Sequence, residues 1–546
     1  MKSNFKPLAI TAAVAAVTAG YAHAQTLSTT GLGDAAIIPY YTATNGLTTG
    51  LHIINTSDTK VTAVKLRMRR GSDSMDALDF NIILSPNDEW TGGISTNADG
   101  FVQIGTNDTS CTAPQSVARD GVAVMPQSGF PEAADEGYIE IIGMGSIDES
   151  LATTYPAFDD AVHSQTPAAD GKYYPANCDR LEGNFDRNST EFANGSTSKI
   201  GVYQNDTTYQ LDPNDATGKA VLPNLWAPVE DELMVSWFIS DTTGGLEMGN
   251  QAVMLSNFSA TATAPGGPAV FMTNQRPLIR VTAAGAIGFE IDRYNFTYPD
   301  LNGGPADGTA TRGQMEALRL PTVLGAAGVT NDWSVNPNNS VGTDWVITLP
   351  GQYTMLDLGA WVDGLSKGTV DPMDPTKSAT VATNNWDNRD LPVVLDTRYY
   401  NREETVYRAP GTPDGGLVIS PAVDTPLVEQ ADQLQTEVTV IQWTDGGPTV
   451  EPVLGSVNYA KNYDIGDSGF ASGWAAMNVT SRGVIQASKP AAWRDYASSN
   501  DPNDPNAFVN FTNLDVPIVG FAAWERQVGG NPDRNYGRAV EHAYGS

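Results

Sequence analysis

Short runs of alternating apolar and polar residues, separated by turn-forming residues, constrain the fold of this chain more than any other sequence feature. The stretch IIPYYTATNGLTTGLHIINTSD, residues 37–58, shows the pattern. Asn45-Gly46 suits a hairpin loop, because both central residues of a type I′ turn need a positive φ. Asn55-Thr56-Ser57-Asp58 supplies the next turn. The spacing therefore predicts antiparallel strands joined by tight turns.

Similar strand patterns recur along the chain, punctuated by 53 glycines and 34 prolines. Helical periodicity is confined to residues 147–158 and 311–320. We therefore predict an all-β protein with immunoglobulin-like β-sandwich domains, long loops and a few short helices. A boundary near Gly266-Gly267-Pro268 separates an N-terminal β-sandwich region, 25–267, from a C-terminal β-rich region, 268–546.

The first 24 residues have the organisation of a secretory signal peptide. Lys2 and Lys6 precede an apolar run over residues 8–20, and Ala22-His23-Ala24 forms an A-x-A cleavage site. No later run of about 18 uncharged apolar residues predicts a transmembrane segment in the mature chain. The expected location is the cell surface or the extracellular medium, with the periplasm as an alternative.

The formal net charge of −32 restricts the partners of the chain. A surface this acidic repels phosphates, so nucleic acid is not an expected partner. The same charge attracts counter-ions, including divalent cations.

Cys111 and Cys178 are the two cysteines of the chain. In an oxidising compartment they predict one disulfide that pins a long insertion. Loop-closure entropy gives such a bond about 4 kcal/mol of stabilisation.

Residues for catalysis are sparse. His52, His163 and His542 are the histidines that remain after the signal, and no nucleophile elbow or H-E-x-x-H motif accompanies them. A Ser-His-Asp triad is recognised by geometry and not by sequence order, so a secreted hydrolase stays a third alternative. We predict a protein that is not an enzyme, with no catalytic residues.

Asp and Asn concentrate in loops rich in Pro and Gly, the kind of oxygen-donor density that Ca²⁺ binds. Each loop taken alone fits an ordinary turn equally well, because Asp-Pro starts turns. Taken together they raise the hypothesis of a calcium site, and Ca²⁺ is the expected cofactor if there is one. The candidates are Asp300, Asn302, Asp307, Asp464, Asp467, Asp501, Asn503 and Asp504.

Two Asp-Trp pairs, Asp332-Trp333 and Asp344-Trp345, lie twelve residues apart. Exposed tryptophans stacked on a sugar, with carboxylates binding its hydroxyls, would give this pattern. Two core tryptophans on the arms of a hairpin give it as well, and the pattern favours them.

Residues 61–70 place Lys65, Arg67 and Arg69 on one face of a predicted strand, followed by Arg70. A solvated outer face is the simpler interpretation. The alternative is a contact patch for an acidic neighbouring copy or for lipopolysaccharide phosphates.

The segments GDAAIIPYYTATNGLTTGLHIINTSD, ALDFNIILSPNDEWTGG, NDWSV with GTDWVITLPG, and VPIVGFAAWERQ with NYGRAVEHAY resemble uncharacterised exported proteobacterial cell-surface proteins. The similarity extends from near residue 33 to the end. It implies a surface location and no chemistry.

These observations favour a non-catalytic structural protein of the bacterial cell surface, such as a surface-layer, filament or matrix subunit. Its expected partners are copies of itself or envelope components such as lipopolysaccharide. The alternative is a secreted carbohydrate-binding module or adhesin.

Overall fold

The fold is taken from a computed structural model. It describes residues 26–72, 74, 76–115, 117–126, 134–152, 157–182, 209–211, 221–223, 227, 229–241, 245–257, 319–336, 340–350, 393–403, 405–407, 432–434, 436–446, 452–479, 516–528 and 534–545.

The strands before residue 257 form two facing antiparallel sheets and one small hairpin. Their bounds are β1 (Thr26–Leu27), β2 (Ala35–Thr42), β3 (Leu47–Asn55), β4 (Lys60–Arg70), β5 (Asp76–Leu84), β6 (Glu89–Thr96), β7 (Val102–Gly105), β8 (Cys111–Ala113), β9 (Ala123–Val124), β10 (Glu136–Asp148), β11 (Tyr209–Leu211), β12 (Val221–Pro223), β13 (Leu233–Asp241), β14 (Leu246–Gln251) and β15 (Val253–Ser256).

Sheet A has the order β1-β15-β2-β10-β4-β5-β8, and sheet B has the order β14-β13-β3-β6-β7-β9. The hairpin between β2 and β3 turns at Asn45 and Gly46, whose φ values of 54° and 79° confirm the predicted turn. Both sheets contribute to one apolar core, because alternate residues of β13 and β3 point toward sheet A.

The strands after residue 319 form two further sheets. Their bounds are β16 (Gly328–Ser334), β17 (Val341–Thr348), β18 (Val393–Asn401), β19 (Val406–Tyr407), β20 (Asp432–Leu434), β21 (Val438–Thr444), β22 (Ala460–Asp464), β23 (Ser472–Val479), β24 (Val519–Arg526), β25 (Tyr536–Glu541) and β26 (Ala543–Gly545). Sheet C has the order β19-β18-β23-β16-β26, with β20 paired to β18, and sheet D has the order β22-β21-β17-β24-β25.

Sheet D is buried on both faces and joins the two halves of the described chain. Val346, Val440 and Phe521 extend from one face into the core shared with sheets A and B. Trp345 and Trp443 extend from the other face into a second core against sheet C. Because alternate residues of the same strands fill both cores, the sheets pack as one continuous body.

Short helices complete the described structure: α1 (Ala157–Ala161), α2 (Cys178–Glu182) and α3 (Arg319–Leu324), with 3₁₀ turns at Glu149–Leu151 and Gly466–Ser468. The helix predicted over 147–158 is wrong at its start, because Ile147 continues β10 by pairing with Val61. The helix predicted over 311–320 lies mostly outside the described residues.

The all-β prediction is confirmed, since antiparallel sheets account for nearly all of the described structure. The immunoglobulin-like topology stays a prediction. The predicted boundary near residues 266–268 lies outside the described residues.

Candidate functional site

The predicted disulfide between Cys111 and Cys178 is present. It joins β8 to the first residue of α2, and α2 packs on β8. Two further contacts hold the same segment: Lys172 Nζ lies 2.6 Å from Asp120 Oδ1, and Gln115 Nε2 donates to Asp179 Oδ1 over 2.7 Å. Residues 157–182 are therefore fastened to the edge of the first two sheets, as the sequence predicts.

His163 lies among two hydroxyls and a carboxylate. Its Nδ1 is 3.2 Å from Ser85 Oγ and 3.7 Å from Asp88 Oδ2, while its Nε2 is 3.2 Å from Thr109 Oγ1. Ser85 Oγ also lies 3.1 Å from Asp88 Oδ2.

This cluster differs from a Ser-His-Asp triad, in which the nucleophile and the acid bind opposite ring nitrogens. Here Ser85 and Asp88 both lie on the Nδ1 side. Thr109, on the Nε2 side, donates its proton to the carbonyl of Tyr173 over 2.5 Å. The arrangement fastens the disulfide-linked segment to the turn after β5.

The imidazole of His542 is buried between the last strands. Its Nε2 donates to the Val346 carbonyl over 2.9 Å, and its Nδ1 accepts from Asn331 Nδ2 over 2.9 Å. Burial lowers the pKa of His542 to about 4, so the ring is neutral at ordinary pH. His52, partly exposed on β3, has Nδ1 2.7 Å from Glu89 Oε1.

The structure corrects the sugar-binding hypothesis for the Asp-Trp pairs. Trp333 and Trp345 are both fully buried, and Trp333 stacks on Trp443 at 5.4 Å between ring centroids. Asp344 is buried as well, whereas Asp332 is exposed and uses its backbone carbonyl to accept from Trp345 Nε1. The tryptophans are core residues: Trp333 on β16 of sheet C and Trp345 on β17 of sheet D both point into the core between these two sheets.

The carboxylate of Asp344 faces the loop over residues 452–459. Its Oδ2 accepts from the Leu454 backbone N–H over 2.8 Å. Burial raises the pKa of Asp344 to about 7, and backbone N–H groups of the loop partly oppose that rise. The group is a structural acceptor within the protein.

The predicted basic contact patch is also wrong. Lys65, Arg67 and Arg69 are buried, and Arg70 is half-buried. Lys65 Nζ lies 2.7 Å from Asp79 Oδ2, and Arg69 Nη2 lies 2.9 Å from Glu140 Oε2. The reason is the central position of β4 in sheet A, between β10 and β5, with α1 packed against it.

The calcium candidates Asp300, Asn302, Asp307, Asp501, Asn503 and Asp504 lie outside the described residues, as does the side chain of Asp467. Asp464 is exposed, and its Oδ1 accepts from the Gly466 backbone N–H over 2.9 Å. Within the described ranges, no group of three or more His, Cys, Asp or Glu side chains is arranged to hold a metal ion. The calcium hypothesis stays a prediction.

An exposed cationic face lies elsewhere, on the hairpin of β24 and β25. Arg526 and Tyr536 are cross-strand neighbours, as are Trp524 and Arg538. The Arg538 guanidinium lies over the Trp524 ring, 4.7 Å from its centroid. Together with Arg534, these residues are here called the arginine face. The alternation in WERQ and NYGRAV is the sequence signal for this face, but the sequence alone does not show that the two segments pair as strands.

Carboxylates dominate the rest of the described surface. Exposed acidic side chains are Asp58, Glu89, Asp99, Glu149, Asp159, Asp170, Asp179, Glu230, Asp231, Glu247, Asp332, Glu403, Asp464 and Glu541. The arginines exposed to the same degree are Arg402, Arg526, Arg534 and Arg538. Three of these four arginines belong to the arginine face, whereas Arg402 and Lys172, whose side chain is 39% exposed, lie elsewhere.

Comparison with known proteins finds no matching family model, no matching curated protein and no matching solved structure. None of the helices in the described part of the chain has the length and apolar character needed to cross a bilayer.

Proposed function

We propose that the protein is a non-catalytic structural subunit of the bacterial cell surface, belonging to a surface layer, a filament or an extracellular matrix. The observation that carries the proposal is sheet D, whose two buried faces join all four large sheets into one body. A subunit that transmits load through an assembly needs such continuity, because a flexible joint between separate domains would absorb the load.

The character of the surface supports the same proposal. The candidate tryptophans and most of the candidate basic residues lie in the interior, whereas carboxylates remain outside. Acidic faces of neighbouring copies repel each other unless cations neutralise them, so we expect Ca²⁺ or a similar divalent cation to bridge lateral contacts.

Two measurements on the mature full-length chain test this function. Immunogold labelling of intact cells should place the protein on the envelope in a continuous layer or in filaments. Purified protein should form ordered sheets or filaments in calcium that shorten or disperse in chelator. Diffuse labelling of the medium, with protein that stays monomeric at high concentration with and without calcium, would contradict the proposal.

A further inference from the structure

The arginine face has the composition of an interface, and none of its arginines, Arg526, Arg534 and Arg538, has an ionic partner among the described residues. Tyr536 is 55% exposed. Trp, Tyr and Arg are the residue types that dominate binding energy at protein interfaces. Arginines without an ion pair to any described residue, on a chain of net charge −32, can bind an anionic partner.

Backbone hydrogen bonds and close packing hold the described parts of this hairpin, residues 519–528 and 534–541, in place. Gln527 N donates to the Ser340 carbonyl over 2.9 Å, and Val528 N donates to Asn535 Oδ1 over 2.8 Å. Gly537 approaches β14 so closely that a Cβ atom there would lie 2.7 Å from Leu246 Cδ1. A preorganised face loses less conformational entropy on binding than a mobile one.

A complementary acidic surface lies at the other end of the first two sheets. Thr56 N donates to the Glu232 carbonyl, and Glu149 N donates to the Thr59 carbonyl, each over 2.8 Å. These contacts gather the turns that carry Asp58, Glu149, Glu230 and Asp231, here called the acidic end. Lys60, 3.1 Å from Glu230, offsets part of its negative charge.

Strand β13 fixes the positions of the two surfaces. Its first residue, Leu233, lies two residues after Asp231 and pairs with Asn55 beside the acidic end. Its last residue, Asp241, pairs with Leu246, and Leu246 Cδ1 would lie 2.7 Å from a Cβ atom at Gly537, between Tyr536 and Arg538 of the arginine face. Nine residues of strand span about 26 Å at roughly 3.3 Å per residue. The two surfaces therefore lie at opposite ends of the strand.

We infer that the arginine face of one copy binds the acidic end of the next copy, which makes a head-to-tail chain. A contact between two different surfaces of the same protein repeats without closing unless its rotation happens to form a ring. The inference deepens the proposed structural role and rests on it. It adds an axial contact that needs no metal, in contrast to the cation-bridged lateral contacts.

Charge reversal provides a test with an internal rescue. Arg526→Glu/Arg538→Glu makes the arginine face acidic, and Glu230→Lys/Asp231→Lys makes the acidic end basic. In each variant alone, like charges meet at the contact. In a mixture, the acidic face of one variant meets the basic end of the other, and the unchanged arginine face meets the unchanged acidic end, so every mixed contact joins opposite charges. Arg402→Glu and Glu403→Lys reverse exposed charges outside both surfaces and serve as matched controls.

The readout is sedimentation velocity of the mature full-length proteins in chelator at low salt. We expect wild type and both controls to form oligomers that dissociate in 1 M NaCl, where the screening length falls to about 3 Å. Each charge-reversal variant should associate at least tenfold more weakly, and the equimolar mixture should recover the oligomers. Near-ultraviolet circular dichroism confirms folding. Arg534→Glu, which precedes β25, repeats the test if the strand variant does not fold.

Monomeric wild type under these conditions, or unchanged oligomers in the variants, would overturn the head-to-tail contact. The proposed surface role is judged separately by the labelling of cells and by calcium-dependent assembly. Calcium-dependent arrays that both charge-reversal variants still form would therefore remove this inference and leave the structural role in place.

Discussion

Glu136 and Asn458 join the two halves of the described structure through one buried carboxylate. Asn458 donates to Glu136 Oε2 from its backbone N and from its side-chain Nδ2, each over 2.9 Å. Val457 N donates to the same oxygen over 3.1 Å, and Tyr40 Oη donates to Oε1 over 2.6 Å. One side chain of β10 thus satisfies donors from sheet A and from the loop beside sheet D.

Replacing Glu136 by alanine should destabilise the whole protein, because it leaves buried donors without an acceptor. The expected loss is about 3–5 kcal/mol in the free energy of unfolding, measured by urea denaturation. The exposed Glu403→Ala variant is the control, with an expected change within about 0.5 kcal/mol. A loss below about 1 kcal/mol for Glu136→Ala would show that the junction between the two halves does not depend on this carboxylate.

Replacing Asp344 by asparagine should change the pH dependence of stability. The pKa of Asp344 rises from its ordinary 3.8 to about 7 in the folded state, so the folded chain binds more protons between these values. Its contribution to stability therefore declines as the pH rises from about 4 to 7 and is constant above that.

The measurement for Asp344 is the difference in unfolding free energy between wild type and Asp344→Asn at several pH values. The variant should become more stable relative to wild type as the pH rises through that window. A difference that does not depend on pH would mean that the Asp344 carboxylate titrates alike in the folded and unfolded states.

Replacing Arg69 by methionine should remove a bound cation from the buried carboxylate of Glu140. Arg69 Nε and Nη2 donate to Glu140 Oε2 over 3.1 and 2.9 Å. Loss of one partner of a buried pair costs about 3–5 kcal/mol, whereas Arg69→Met/Glu140→Met should cost less than the single change. Additive losses in this double-mutant cycle would contradict a direct coupling. Arg402→Met is the exposed control.

Removing the disulfide should loosen residues 157–182 selectively. Cys111→Ser/Cys178→Ser releases a closed loop with a sequence separation of 67 residues, for which loop entropy gives about 4 kcal/mol. Limited proteolysis followed by mass spectrometry should find new early cleavages within 157–182. Equal rates of cleavage in this segment for the variant and the wild type would show that the other contacts suffice to hold it.

Sequence periodicity was sufficient to predict the class of fold and the first hairpin, because both depend on local pattern. The disulfide was predictable because two cysteines allow a single pairing. It failed for Lys65, Arg67 and Arg69, whose alternation resembles that of a half-exposed strand. Their burial depends on Asp79, Glu140 and the covering elements, which come from distant parts of the chain. Alternation shows which residues share a face, but not what covers that face.

Because sequence alternation does not show what covers a face, it also could not decide the role of the candidate functional residues. The sequence pattern favours Trp345 as a core residue on a hairpin, but only the packing of sheet C on sheet D excludes the sugar site. Arg526 and Arg538 are twelve positions apart, so the sequence alone does not show that they lie side by side. The pairing of β24 with β25 places them on one face.

Electron cryo-tomography of intact cells carrying the gold-labelled protein, before and after chelator, tests the structural role most directly. The proposed function predicts a repeating layer or filaments on the envelope that carry the label and that lose lateral order when calcium is removed. Label confined to dispersed single molecules, with an envelope of unchanged appearance in a strain that lacks the protein, would contradict it.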